Sequence, residues 1–352
     1  MKKVMKLINS IIIAVVFTVN LSACGKSKGQ APQSKSDSKP DTITIGYQAG
    51  ADDKMLVKEK GWFQEELAKQ GIKLKYVSFN AGRDINNAVL SNSIDFGDLG
   101  DPPVTIAAAN NIPYEVFWIG NVIGESEALV AKNKANINSI KDLKGKRVAT
   151  TVSSTSHYSL LNALKSEGID AKDIKLVDLN QADIVAAWQR GDIDAAYIWQ
   201  PNLSKLIQAD GKVITSSKEV AEKGAPTTNL LIVRKEFSKK YPQLVSLYVK
   251  QLIKAHDYFK SNPDDTAATL AKALQIDKSE AAKQAKEVEW LTPEEILSQR
   301  YLGTSSKKGD FAKSLKAIGD FLVDQKALTS KLDLSVYENK INSKYLEDAL
   351  KK

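Results

Sequence analysis

A single cysteine, Cys24, stands in the whole chain, and histidine occurs only as His157 and His256. One thiol excludes an intrachain disulfide and a cysteine-ligated zinc centre, and two histidines far apart in sequence leave no cluster for a transition metal. Beyond the first two dozen residues no apolar run approaches the length of a membrane-spanning helix. Proline is sparse, ten among 352 residues, while 26% of residues are charged and 43% hydrophobic. With a mean hydropathy of −0.28, these values exclude a disordered, collagen-like or polytopic membrane chain. At roughly 150 residues per domain the length predicts about two domains. A basic stripe with interleaved aromatics is also missing. Residues 1–23 hold three lysines and no acid, and residues 24–40 four lysines and one aspartate, so only +2 of the net charge of +8 belongs to residues 41–352. Nucleic acid is therefore set aside as a partner.

What is present begins with a leader. Lys2, Lys3 and Lys6 precede an apolar run through Ile11, Ile12, Ile13, Val15, Val16 and Phe17, the charged-then-apolar order of a secretory signal. The segment Leu21-Ser22-Ala23-Cys24-Gly25 resembles the bacterial lipoprotein lipobox. That resemblance implies a signal peptide over residues 1–23, lipid on Cys24 and a membrane anchor. Residues 24–40, rich in Gly, Ser, Pro, Gln and Lys, read as a flexible tether, because nothing in them can bury enough apolar surface to order the chain.

From Asp41 onward short apolar strands alternate with amphipathic helices, which predicts an α/β architecture with helices covering mostly parallel sheets. Thr42 to Tyr47 alternates as a strand, Val57 to Gln70 has helical spacing stopped by Gly71, and Leu74 to Phe79 is a second strand. Asp101 before Pro102 reads as a helix start, carboxylate at the N-cap and proline at N1. Ser139 with Asp142 has capping-box spacing, followed by a strand over Val148 to Thr151. A helix is expected over Tyr158 to Glu167, stopped by Gly168. Another ends at Arg190 with Gly191 as its cap, leading into a strand over Ala195 to Ile198.

Between strand and helix lie four consecutive hydroxyl residues, Ser153, Ser154, Thr155 and Ser156, followed by His157. A helix N-terminus offers free backbone N–H groups and positive dipole, so this junction is a candidate anion cradle; a simple cap needs only one such residue. His157 orients or packs rather than catalyses, since no second histidine or thiol accompanies it. Trp188 on a helix reads equally as core or site, whereas Trp199 ends a strand before Pro201, where open α/β sheets bind ligands.

Tyr47-Gln48, Asp98-Leu99-Gly100, Glu127-Ala128-Leu129-Val130, Thr155 to Leu161, Ala186 to Tyr197 and Gly224-Ala225-Pro226-Thr227 occur in order along the chain. Together they resemble the substrate-binding proteins of taurine and aliphatic sulfonate ABC importers, within the wider group that binds nitrate and thiamine precursors. The resemblance implies a two-lobed periplasmic-binding-protein-like fold of type II, each lobe a mixed, mostly parallel sheet flanked by helices. Lobe one is expected at 41–125 plus 230–352 and lobe two at 126–229, with ligand in the cleft between them and hinges near Ser126 to Ala128 and Pro226 to Leu230. It further implies a monomeric binder without cofactor or catalytic residues, lipid-anchored and facing outside, that delivers its ligand to a membrane permease and, through it, an ATPase.

The candidate ligand residues are Tyr47, Gln48, Asp101, Glu127, Ser153, Ser154, Thr155, Ser156, His157, Trp188, Trp199 and Asn229. A sulfonate is permanently anionic with weakly basic oxygens, which suits the hydroxyl-rich helix start, and an ammonium calls for a carboxylate such as Glu127 or an aromatic face such as Tyr47, Trp188 or Trp199. Two positions depart from the family pattern. Asn229 replaces an aspartate that helps hold the amine, and Asp101 stands where small hydroxyl residues are usual, so the ligand is expected to be taurine, an amine-free sulfonate or a related compound. An enzyme on the same fold is the reading from another class; no Gly-x-Ser-x-Gly elbow or glycine-rich phosphate loop supports it.

Overall fold

The computed structural model describes residues 39–351. The expected signal peptide, Cys24 and all but the last two residues of the tether lie outside these. The first stretch runs β1 (Thr42–Tyr47), α1 (Asp53–Lys60), α2 (Trp62–Ala68), β2 (Lys73–Ser78), α3 (Gly82–Leu90), β3 (Phe96–Gly100), α4 (Asp101–Ala109) and β4 (Tyr114–Ile123). A second set follows: β5 (Glu127–Lys132), β6 (Arg147–Thr150), α5 (Thr155–Ser166), β7 (Lys175–Asp178), α6 (Gln181–Arg190), β8 (Ala195–Trp199), α7 (Asn202–Gln208), β9 (Gly211–Ser216) and α8 (Ser217–Glu222). The chain then returns through β10 (Thr228–Arg234), α9 (Lys235–Lys240), α10 (Pro242–Ser261), α11 (Pro263–Leu274), α12 (Lys278–Gln284), β11 (Val288–Glu289), α13 (Pro293–Ile296) and α14 (Phe311–Asp324). It closes with α15 (Leu334–Glu338) and α16 (Lys344–Leu350).

Two sheets organise these elements. The larger half carries a six-stranded sheet in the order β11-β4-β10-β3-β1-β2, and the smaller half a five-stranded sheet in the order β7-β6-β8-β5-β9. Parallel pairs are confined to β1 with β2 and β3 and to β6 with β7 and β8; every other pair is antiparallel. The sheets are thus less parallel than strand-helix repetition implies. The returning strand β10 runs against both β3 and β4, and β5 runs against both β8 and β9.

Local chemistry explains where the elements differ from expectation. The single helix expected over Val57 to Gln70 is two, because Gly61 takes the left-handed conformation (φ 71°), closing α1 and opening α2. Helix α4 is capped by Gly100, not Asp101, since the Asp101 carboxylate accepts hydrogen bonds from Thr228 of β10 instead of its own helix. Helix α5 starts at Thr155, three residues before the expected Tyr158, with the Ser154 Oγ accepting the His157 N–H at 3.2 Å.

An aromatic cluster fills the larger core. Phe63 stacks on Tyr248 at 4.7 Å, and Phe96 meets Phe63, Phe117, Phe237 and Tyr248, mostly edge to face. Each such pair is worth about 0.5–1.5 kcal/mol beyond its burial, and together they fix β3 and the residues at its far end. The smaller half has cores on both faces of its sheet. Residues 230–352 do not serve the larger half alone. Phe311, Ala312 and Leu315 of α14 join the larger core, while Ile318, Phe321 and Leu322 pack into the smaller one, with Phe321 edge-on to Tyr158 at 5.2 Å.

Candidate functional site

Strand ends from both sheets converge on a cavity of about 80 Å³ lined by both halves of the molecule. At roughly 10–15 Å³ per water-sized group, it holds a ligand of about five to eight such groups.

The larger half supplies a charged wall. Gln48, just past β1, donates its backbone N–H to Asp98 Oδ1 at 2.7 Å and its side-chain amide to the Asp98 carbonyl at 3.1 Å. Lys54, in the first turn of α1, pairs with Asp52 and with Asp98 Oδ2, the latter at 2.8 Å. Asp52 also caps α1 by accepting the Met55 N–H at 3.1 Å. Burial pushes the Asp98 carboxyl up to about 6 against the pull of Lys54. Burial acts on Lys54 in the opposite sense, yet Asp52 and Asp98 outweigh it and hold the ammonium above its ordinary value. Beside this wall, Asn229 of β10 donates to Asn121 Oδ1 of β4 at 3.0 Å.

The smaller half supplies the start of α5. Ser154 and Thr155 line the cavity, and the Thr155 hydroxyl donates to Glu127 Oε2 at 2.7 Å. Ser217 donates to Glu127 Oε1 at 3.1 Å. Burial, opposed by these hydroxyls, raises the Glu127 carboxyl to about 7. Trp199 and Gln200 close β8 at the same cavity. The halves also touch directly. Gln200 donates to Glu287 at 2.9 Å, Ser204 to Glu280, and Arg83 to Asp178 at 2.9 Å. The α carbon of Gly100 faces Thr155 so closely that a β carbon there would lie 2.4 Å from the Thr155 methyl.

The NMT1/THI5-like family description matches residues 55–266. The chain belongs to that family. This NMT1/THI5-like protein is 35% identical over 289 residues to the taurine-binding periplasmic protein of Escherichia coli K12, covering 80% of this chain and 86% of that one. It is 28% identical to a putative aliphatic sulfonates-binding protein of Bacillus subtilis 168, with 96% of each chain covered. Among solved structures, the alkanesulfonate-binding protein SsuA of Xanthomonas axonopodis pv. citri bound to MOPS has the same fold. The TM-score is 0.71 at 21% identity, over 87% of this chain and 99% of that one.

Of the candidate residues in this NMT1/THI5-like chain, Gln48, Glu127, Ser154, Thr155, Trp199 and Asn229 line the cavity. The others stand elsewhere. Tyr47 packs edge-on against Tyr76 at 6.1 Å and lines a separate crevice. Asp101 is buried beside β10, one oxygen taken by Thr228 and the other without a partner. Ser153 adopts a left-handed conformation (φ 68°) and gives its N–H to His157 Nδ1 at 3.3 Å, and burial drops that imidazole to about 4, leaving it neutral. Ser156 is fully buried on the inner side of α5. Trp188 is a core residue, its indole donating to the Ala209 carbonyl at 2.8 Å under the Lys132 ammonium.

Sequence reasoning missed Asp52, Lys54, Asn121, Gln200 and Gln284, all of which line the cavity. The available signal was position. Asp52-Asp53-Lys54 follows the carboxyl end of β1, where open α/β sheets bind their ligands.

Proposed function

We propose that the protein is the solute-binding component of an ABC importer and captures taurine or a related small sulfonate between two lobes, 41–125 with 230–352 and 126–229. The segments between β4 and β5 and between α8 and β10 are the hinges. Lipid on Cys24 tethers the mature, monomeric protein outside the cell, and closure presents it to a membrane permease.

One observation carries the ligand class. Among the described residues lining the cavity, Lys54 is the one cation, and it is committed to Asp52 and Asp98. An anion entering here is held by neutral donors and the α5 dipole: the Ser154 and Thr155 hydroxyls are spent on Thr151 and Glu127, so the backbone N–H groups of the first helical turn face it on one side, with the amides of Gln48, Asn121 and Asn229 available around it. Such a set suits a sulfonate, which carries a single charge that no proton neutralises, better than a doubly charged phosphate, which asks for cations. Trp199 gives an apolar wall to the short carbon spacer. No chemistry is performed on the ligand. His157 is buried, neutral and takes the Ser153 N–H, so it activates no hydroxyl.

Titration calorimetry of the purified protein with taurine, ethanesulfonate, nitrate and phosphate tests this reading. Tight binding of a sulfonate, with the ligand recovered unchanged, is the expected result. Binding of nitrate alone, or consumption of the sulfonate, refutes it.

A further inference from the structure

The larger half's side of the cavity carries more negative charge than it can balance from within. Asp52 and Asp98 share one ammonium, Lys54, and all three side chains are less than a tenth exposed. Directly behind, Asp53 accepts the Trp118 indole N–H at 2.8 Å, and burial next to Asp52 raises its carboxyl. Lys58, the next cation along α1, pairs with Glu59 and lies over the rings of Tyr47 and Tyr76. Two carboxylates on one ammonium leave the wall short of a cation where water screens little.

The opposite side has the reverse character. The α5 N-terminus presents donors and positive dipole, and Glu127, the remaining carboxylate of the cavity, belongs to that end because it is bonded to Thr155 and Ser217. An independent element points the same way as the acidic wall. Gln284 of α12 lines the cavity and is 2% exposed. Its amide donates to Glu280 at 2.9 Å while its Oε1 has no partner. A buried acceptor without a donor costs free energy that a ligand N–H relieves and that an anion, which brings no proton, does not.

We propose that the Asp52–Lys54–Asp98 wall, with Gln284 Oε1, is an ammonium subsite that makes the cleft select amino-sulfonates over the same sulfonates lacking the amine. This deepens the sulfonate reading above and rests on it. The two ends of the ligand are then read by different halves, the sulfonate by α5 and the ammonium by the α1 and β3 wall. Lys54 is a positioning residue, bridging the two carboxylates and holding them close together.

Calorimetry with taurine and ethanesulfonate on the wild type, Asp52→Asn and Gln284→Leu tests the inference. Asparagine caps a helix as well as aspartate does, so Asp52→Asn removes the charge and spares α1. The wild type is expected to prefer taurine at least 100-fold. That ratio falls ten-fold or more in Asp52→Asn and several-fold in Gln284→Leu. Equal wild-type affinities for the two ligands, or an unchanged ratio in Gln284→Leu and in a folded Asp52→Asn, overturn the inference while leaving the sulfonate reading in place. Failure of the wild type to bind either ligand overturns both.

Discussion

Gly100→Ala puts the contact between β3 and the start of α5 to a direct test. The Gly100 backbone (φ −72°) accepts any residue, and the Thr228 carbonyl, 3.6 Å from the added carbon, is in ordinary contact. The obstacle is the Thr155 methyl of the other half, at 2.4 Å. Carbon atoms settle at about 3.5–4.0 Å, so the halves must separate locally by about 1 Å or Thr155 must rotate away. Rotation breaks the Thr155 bond to Glu127 and leaves that buried oxygen without its donor, a penalty of about 1–3 kcal/mol. Overpacking costs typically about 1–3 kcal/mol, the same range reached from the other side. At about 1.4 kcal/mol per decade, ligand affinity should drop by roughly five- to 150-fold. Calorimetry reads the dissociation constant, and the melting temperature without ligand should change little because neither sheet is disturbed. Thr155→Ser removes only the offending methyl, so the double variant Gly100→Ala/Thr155→Ser should recover most of the lost affinity. Wild-type affinity in Gly100→Ala, or no recovery in the double variant, would refute the argument.

Three further outcomes follow from the geometry. Glu127 keeps its proton up to about pH 7 in the folded protein but loses it near 4.5 when unfolded, so its contribution to stability is complete below about 4.5 and is lost as the pH rises to about 7. At about 1.36 kcal/mol per unit this amounts to roughly 3 kcal/mol, and urea unfolding of Glu127→Gln should show a correspondingly weaker fall across that window; parallel profiles would contradict it. Trp188→Ala should cost about 3–5 kcal/mol of stability and leave ligand affinity nearly unchanged, because the ring packs in the smaller half's core; a large affinity loss in a folded variant would put it back in the site. Arg83→Ala removes a half-exposed bridge to Asp178, worth up to about 1 kcal/mol, so affinity should fall less than about five-fold, and a larger loss measured at moderate salt would show the bridge to be a true latch.

Much of this architecture is written in local pattern. The alternation of Thr42 to Tyr47, the capping box of Ser139 with Asp142 and the left-handed cap at Gly191 all stand where periodicity and turn chemistry put them. The start of α5 was harder, because Thr155, Ser156 and His157 are poor helix formers whose helical state depends on the Ser154 cap. Two tryptophans illustrate the limits at the site. The strand-end rule brought Trp199 to the cavity, while Trp188, with the same side chain, fills a core that only the packing of α6 against α7 reveals. No local pattern in the sequence singles out Asp52 and Lys54. Their meaning depends on Asp98 arriving from β3, a juxtaposition no local window contains. The same holds for α14, whose single apolar stripe divides its length between two cores.

The insertion of β10 between β3 and β4 has a consequence for how the polypeptide is made. When β4 has left the ribosome, its partner for the sheet interior does not yet exist, and the whole of the smaller half must be synthesised before Thr228 appears. At roughly 5–20 residues per second that interval lasts on the order of ten seconds. During it the facing edges of β3 and β4 lack the strand that will separate them, and their buried apolar faces lack part of their cover. The smaller half has all five of its strands first, so it can be complete while the larger half, begun earlier, still waits. A chaperone that recognises unpaired strand edges would therefore meet this chain through its amino-terminal portion, and slowing synthesis just before β10 should lengthen that encounter.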